Sequence, residues 1–200
     1  MASAEKRRAG DHLERVVVET RENLRLWLER HHPQADSVWI VYRKKNAGGQ
    51  LAYGEIVDEA LCFGWIDSLP RKLDDASSML LLSPRKRGSS WSKVNKDKAA
   101  RLIAEGRMAA PGLAKIEAAQ QDGSWDRLTT VDALKEPDDL VAALTAHPAA
   151  AGYWSEFPPS ARRGILEWIL NAKTEATRRK RIDETARLAA QNKRANQWPR

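Results

Sequence analysis

The sequence predicts an α+β protein in which a small sheet precedes an all-helical half. β-Branched and aromatic runs, which are typical of strands, occur before about residue 84, whereas apolar residues recur with helical spacing beyond about residue 95. We predict three strands, antiparallel or mixed, packed with two helices. The expected organisation is a disordered lead over residues 1–10, an α+β domain over 11–90, and a helical C-terminal region over 91–200 that packs on this domain.

The strands and the best-defined early helix come from residue pattern. The predicted strands cover residues 37–45, 65–69 and 79–82. Apolar residues at i, i+3, i+4, i+7 and i+8 predict a helix over 53–63, which Gly64 is well placed to end. Another helix ends before Pro33. The run Val16–Val18 is either a short strand or part of that helix, and the sequence leaves both open.

The helical half shows start signals ahead of each apolar stripe. Predicted helices begin near Asn95, Pro111, Glu136, Pro158 and Thr174. We expect Asn95 to cap the first of them, which runs through Glu105. The last one, over 175–192, has a thin apolar stripe, so it should dock shallowly and expose a basic face.

Composition favours an ordinary globular protein. Hydrophobic residues make up 42% of the 200 residues and charged residues 30%. The eight tryptophans are expected to anchor the core. The N-terminus lacks the apolar segment of a secretory signal, and no apolar run is long enough to span a membrane. With Cys62 as the one cysteine, the sequence predicts a cytoplasmic protein without internal disulfides.

The net charge of +7 is concentrated in two basic islands. Residues 84–107 carry eight Lys or Arg against two acids, and residues 173–200 carry nine against three. Clustered charge creates a local potential that attracts anionic partners. Both islands are therefore candidates for binding an anionic partner, and the alternative is that each is a solvated basic face.

The first island holds the strongest candidate, an anion site before a helix. The predicted binding residues are Arg85, Lys86, Arg87, Ser90, Trp91, Ser92, Lys93 and Asn95. Free amides at a helix start, hydroxyl donors and cations together suit an anion. Trp91 either stacks on a base or sugar, or plugs the core. The Gly-Ser-Trp at 123–125 resembles the Gly-Ser-Ser-Trp at 88–91 only superficially, and the spacing is not that of a nucleotide P-loop.

For the other candidate residues, a structural role is favoured over a functional one. Arg178, Arg179 and Arg181 form a secondary basic face, for which a solvated surface with salt bridges is favoured. Asp67 is a possible polar pocket residue, although an ion pair with a nearby Arg suits it better than catalysis. Cys62 is expected to be buried and unreactive. The four His and one Cys lack metal-ligand spacing, so neither a metal nor another cofactor is expected.

Three stretches of the chain resemble one bacterial family. They are GEIVDEALCFGWIDS (54–68), SPRKRGSSWSKVNKDKAARLIAEGRM (83–108) and PPSARRGILEWILNAKTEATRRKRIDETARL (158–188). The family is the YdeI/OmpD-associated, or bacteriocin-protection, family, and the resemblance runs from about residue 37 to 194. It implies an α+β domain followed by a helical tail, and a role in envelope stress, but no catalytic residues.

The sequence thus favours a non-catalytic binding protein for an anionic macromolecule or acidic protein, with a stress-protection role implied by the resemblance. One alternative is a nucleic-acid-binding protein that follows the phosphate backbone without reading sequence. The other is an enzyme with a small-molecule pocket near Asp67, Trp91 and Lys93.

Overall fold

The computed structural model describes residues 10–197, and the predicted α+β class is confirmed. The chain forms two compact units that divide between Trp125 and Asp126. The predicted disordered lead lies outside the described residues except for Gly10, whose carbonyl oxygen accepts a hydrogen bond of 2.8 Å from the Trp39 indole. The predicted packing of region 91–200 on domain 11–90 stays a prediction.

Within the described residues, the first unit contains a four-stranded mixed sheet, so our prediction of three strands was wrong. The strands are β1 (Arg15–Val17), β2 (Val38–Arg43), β3 (Trp65–Lys72) and β4 (Ser77–Pro84), in the order β1-β2-β4-β3. β1 is parallel to β2, whereas β4 is antiparallel to β2 and β3. β1 has three residues, of which Val16 alone is buried. Its pairing with β2, which the local pattern cannot show, makes this run a strand.

Strand β2 is buried on both faces and divides the apolar residues of the first unit into two clusters. Val38 and Ile40 belong to the main core, while Trp39 and Val41 pack with Met79 in a smaller cluster. This division follows from the alternation of side chains along a strand. Because β2 is apolar on both faces, it reads as one continuous hydrophobic run in the sequence.

Helices complete the first unit. They are α1 (Arg21–His31), α2 (Tyr53–Cys62), α3 (Lys93–Ala104) and α4 (Ala110–Gln121), with a short 3-10 helix at Lys45–Ala47. All four α-helices contribute to the main core together with the sheet. In α2 every residue from Ile56 to Cys62 is buried, including Asp58 and Glu59. Gly112 of α4 lies so close to α2 that a Cβ there would be 2.3 Å from the Cys62 carbonyl oxygen.

The second unit is helical and has a core of its own. Its helices are α5 (Thr129–Asp132), α6 (Asp138–Thr145), α7 (Ala150–Glu156), α8 (Pro159–Leu170) and α9 (Glu175–Ala189). Leu140, Trp154, Ile165 and Ile169 are among its buried residues. The Thr174 hydroxyl accepts a hydrogen bond from the Thr177 amide, so this predicted cap of the last helix is confirmed.

The tryptophans pack as expected over the part of the chain that the structure describes. Trp39, Trp65, Trp91 and Trp154 are buried, and three others are partly buried against the two cores: Trp27, Trp125 and Trp168. Trp198 lies outside the described residues. No helix among residues 10–197 has the length and hydropathy needed to cross a bilayer.

Candidate functional site

The predicted anion site falls on the loop between β4 and α3 and on the first residue of α3, a segment that we call the basic loop (residues 85–93). The Arg85 amide donates to the Gly64 carbonyl oxygen at 2.9 Å, so the loop leaves the sheet beside the start of β3. Gly88 has a φ of +74°, a left-handed conformation that glycine tolerates best. The chain therefore folds back at Gly88 before α3 begins.

Arg85 is the most buried cation of the loop, with 3% of its surface exposed. Its guanidinium carbon lies 3.7 Å from the centre of the Trp91 ring, and its Nη1 donates to the Ser90 carbonyl oxygen at 3.1 Å. Nε and Nη2 are buried and have no hydrogen-bond partner among the described residues. Burial lowers the pKa of Arg85 to about 10, with the negative charge of Asp67 acting in the opposite direction. The side chain thus remains protonated at neutral pH without a full set of partners.

Trp91 is 1% exposed and its ring centre lies 5.0 Å from that of Trp125. Of the two roles that the sequence left open for Trp91, the structure supports the plug in the core. Its faces are occupied by Arg85 and by packing against Trp125, so it offers no platform to a base.

The start of α3 differs from the prediction. Ser92, and not Asn95, is the N-cap, and its hydroxyl accepts a hydrogen bond of 3.3 Å from the Asn95 amide. The reason is that the helix begins at Lys93, which places Asn95 inside its first turn. Lys93 forms an ion pair of 2.7 Å with Asp97. These helix-start residues are therefore engaged with one another.

A cavity of about 130 Å³ lies beneath the basic loop. Its lining comes from the loop and from the end of α4: Arg85, Lys86, Arg87, Gly88, Ser89, Trp91, Lys115, Ala118, Ala119, Asp122 and Ser124. Lys86 and Arg87 are exposed. The structure thus brings Arg85, Lys86, Arg87 and Trp91 of the predicted site to one cavity.

Asp122 connects the basic loop to α4. Its carboxylate accepts hydrogen bonds from the Gly88 amide at 3.2 Å and from the Ser124 amide at 3.0 Å, and lies 3.9 Å from Arg87 Nε. The nearby Ser124 hydroxyl and these amides lower the pKa of Asp122. The Ser124 hydroxyl lies near this carboxylate without forming a hydrogen bond to it.

Sequence reasoning missed the α4 side of this cavity. Asp122 and Ser124 lie some thirty positions after the loop, and nothing in their local pattern marks a site. The sequence offers one signal, the superficial resemblance between Gly-Ser-Ser-Trp at 88–91 and Gly-Ser-Trp at 123–125. The two segments meet in space, since Trp91 contacts Trp125 and Gly88 contacts Asp122.

Asp67 contacts a tyrosine. Tyr53 donates its hydroxyl hydrogen to Asp67 Oδ2 at 2.5 Å. Burial, together with this bond to a carboxylate, raises the pKa of Tyr53 to about 12. Asp67 does not line the cavity beneath the basic loop, although its charge reaches Arg85. Cys62 is buried, as predicted, and burial raises the pKa of its thiol.

The secondary basic face divides among different partners. Arg178 makes a double hydrogen bond with Asp139 at 2.7 and 2.9 Å, and Arg181 donates to the Trp168 carbonyl oxygen and stacks on its ring at 4.9 Å. Arg179 is exposed. Two of the three arginines therefore make contacts within the second unit, and less of their positive charge is available to a ligand than the sequence suggests.

The chain matches two family models. Residues 16–115, half of the chain, match a domain of unknown function (DUF8412). Residues 133–192 match the model described as bacteriocin-protection, YdeI or OmpD-associated, which confirms the resemblance there. No curated protein and no solved structure matches the chain. Residues 133–192, in the second unit, are thus similar to the YdeI/OmpD-associated, bacteriocin-protection model, and the chain as a whole belongs to the DUF8412 family.

Proposed function

We propose that this chain is a non-catalytic binding protein whose basic loop receives an acidic protein partner. The observation that carries the proposal is Arg85, a buried cation with two guanidinium nitrogens that lack hydrogen-bond partners among the described residues. The bacteriocin-protection description of the second family model motivates a protective role for this binding.

The charge of Arg85 is compensated less completely than that of other inward-facing cations of the first unit. Arg21 and Arg25 contact the buried Glu59 carboxylate at 2.6 and 3.0 Å. Arg85 instead contacts a carbonyl oxygen and an aromatic face. Because its field is only partly cancelled, it adds to those of Lys86 and Arg87 at the surface. A local positive potential of this kind accelerates encounter with an acidic surface.

Three features favour a protein over a nucleic acid. Trp91 is buried, so the loop lacks the aromatic platform on which unpaired bases stack. Val94, next to the loop, is 63% exposed and offers an apolar contact that a phosphate backbone does not use. In addition, Asp97 lies beside Lys93 and would repel a row of phosphates.

The contacts of the candidate catalytic groups also favour binding over catalysis. Asp67 is engaged by Tyr53 and lies outside the lining of the loop cavity. The raised pKa of Cys62 keeps its thiol protonated, whereas a nucleophile needs the thiolate.

The test compares a fluorescein-labelled poly-glutamate peptide with a labelled oligonucleotide of equal charge, using fluorescence anisotropy. We expect the peptide to bind more tightly than the oligonucleotide. The double variant Lys86→Ala/Arg87→Ala should weaken peptide binding about tenfold, because each lost contact with a carboxylate costs about 0.7 kcal/mol. The matched control is Arg30→Ala/Lys45→Ala, which removes the same charge from exposed positions on α1 and the 3-10 helix.

Equal loss of affinity in the loop and control variants would show that net charge, and not the basic loop, attracts the peptide. Tighter binding of the oligonucleotide, with an affinity that falls steeply with salt, would replace the proposal with the nucleic-acid alternative.

A further inference from the structure

We infer that the cavity beneath the basic loop is a seat for one oxyanion group, held by the Arg85 guanidinium and obstructed by Asp122. This inference rests on the proposed function and names the chemistry of its site. The group is a carboxylate of the partner or a free phosphate, which share the oxygen geometry that a guanidinium recognises.

The two nitrogens of Arg85 that lack partners form one recognition edge. Nε and Nη2 carry hydrogens that point to the same side of the planar guanidinium, and this side binds two oxygens of a carboxylate or phosphate at once. Nη1, on the other side, already donates to Ser90. The stacking of the guanidinium on Trp91 fixes its plane. The side chain is therefore oriented before any ligand arrives.

The cavity provides space and a suitable environment for such a group. Its volume of about 130 Å³ is several times the roughly 30 Å³ that a water molecule takes in the liquid. Ala118 and Ala119 form an apolar wall, which strengthens electrostatic interactions within it. The exposed side chains of Lys86 and Lys115 add positive charge at its edge.

Asp122 opposes an incoming oxyanion in two ways. Its charge repels the oxyanion directly, and its contact with the Gly88 amide ties the loop to the end of α4. Since Nε and Nη2 are covered in the structure, the loop must shift before a ligand can reach them. Gly88 suits such a shift, because it is exposed and nothing lies within 4 Å of the position that a Cβ would occupy there. Asp122 is thus an internal competitor for the cations of the loop.

The decisive variant is Asp122→Asn, which removes the charge and keeps one oxygen, enough to accept from either the Gly88 or the Ser124 amide but not from both. Inorganic phosphate and acetate are titrated separately into the wild-type and variant full-length chains, with sodium chloride at equal ionic strength as the control. The Arg85 Nε–H and Gly88 amide resonances are followed by NMR. We expect saturable shifts of both resonances, and binding about fivefold tighter in Asp122→Asn, as expected for removal of one nearby like charge.

The relative affinities of phosphate and acetate identify the source of the oxyanion. Shifts that sodium chloride reproduces, or affinities that Asp122→Asn leaves unchanged or weakens, would overturn the proposed oxyanion seat.

Failure of the oxyanion seat is distinguishable from failure of the proposed function. If the loop variants weaken the peptide but Asp122→Asn has no effect, the function stands without the seat. If phosphate binds as described and the peptide does not, the seat stands without the protein partner.

Discussion

Individual charges in the first unit differ in how fully the fold compensates them. Glu59 is completely buried and receives Arg21, Arg25 and Arg107, the last at 2.5 Å. Burial alone would raise the pKa of Asp58, but hydrogen bonds from Lys98 and Arg101 bring it below the usual value. Such pairs connect helices and leave little charge for a ligand. Arg85 has a different environment, since it contacts a carbonyl oxygen and an aromatic ring and no carboxylate among the described residues, and this difference is the reason for proposing it as a binding residue.

Asp67 provides a prediction about a single contact. Burial and Asp67 together raise the pKa of Tyr53 to about 12, so replacing Asp67 with Asn, which removes the charge but not the burial, should lower that pKa part of the way toward the ordinary value near 10. The measurement is an ultraviolet titration of tyrosinate, with Tyr53→Phe identifying which transition belongs to this residue. An unchanged titration of Tyr53 would mean that the hydrogen bond does not govern its ionisation.

At the level of elements, the start of α3 shows that an apparent ligand site can be occupied by the protein itself. The sequence suggested free amides between Ser92 and Asn95. Instead, the Ser92 hydroxyl accepts from one amide, and the Lys96 amide donates to the Ser92 carbonyl oxygen at 3.0 Å. The Ser92 side chain at the helix N-terminus thus caps α3, and our proposal assigns binding to the loop before it.

This division predicts the effect of Ser92→Ala. Loss of the cap should lower the free energy of unfolding by about 1 kcal/mol, measured by urea denaturation. Affinity for the poly-glutamate peptide should stay the same, because the hydroxyl is committed to the helix. Ser89→Ala, in the same loop but outside the cap, is the control. Unchanged stability with weaker peptide binding would instead assign the α3 start to the partner.

The sequence predicted most elements but only part of the site. The helix expected over 53–63 is Tyr53–Cys62, because its apolar spacing is regular and Gly64 adopts the positive φ of a helix end. Helices α5 and α7 were not predicted, since short helices show little periodicity. Likewise, the cations of the loop were visible as a cluster, whereas Asp122 and Ser124 reach it through tertiary folding alone.

For the whole molecule, counting charges overstates the binding surface. Lys98 and Arg101 of the first basic island are paired with Asp58, which lies outside that island in sequence. In the second island, Arg178 is paired with Asp139 of α6. Lys86 and Arg87 of the first island remain exposed, and 89% of the Arg87 side chain is accessible to solvent. Ion pairs with acids outside the two islands thus reduce the uncompensated charge of both.

The most direct test of the account is the combined stability and peptide affinity of Arg85→Met. Methionine has a similar length and no charge, so it removes a buried cation that lacks a complete set of partners. We expect the free energy of unfolding to rise by about 1–3 kcal/mol while affinity for the poly-glutamate peptide falls about tenfold. A variant that is less stable yet binds the peptide as the wild type does would contradict the account, because Arg85 would then serve the fold alone.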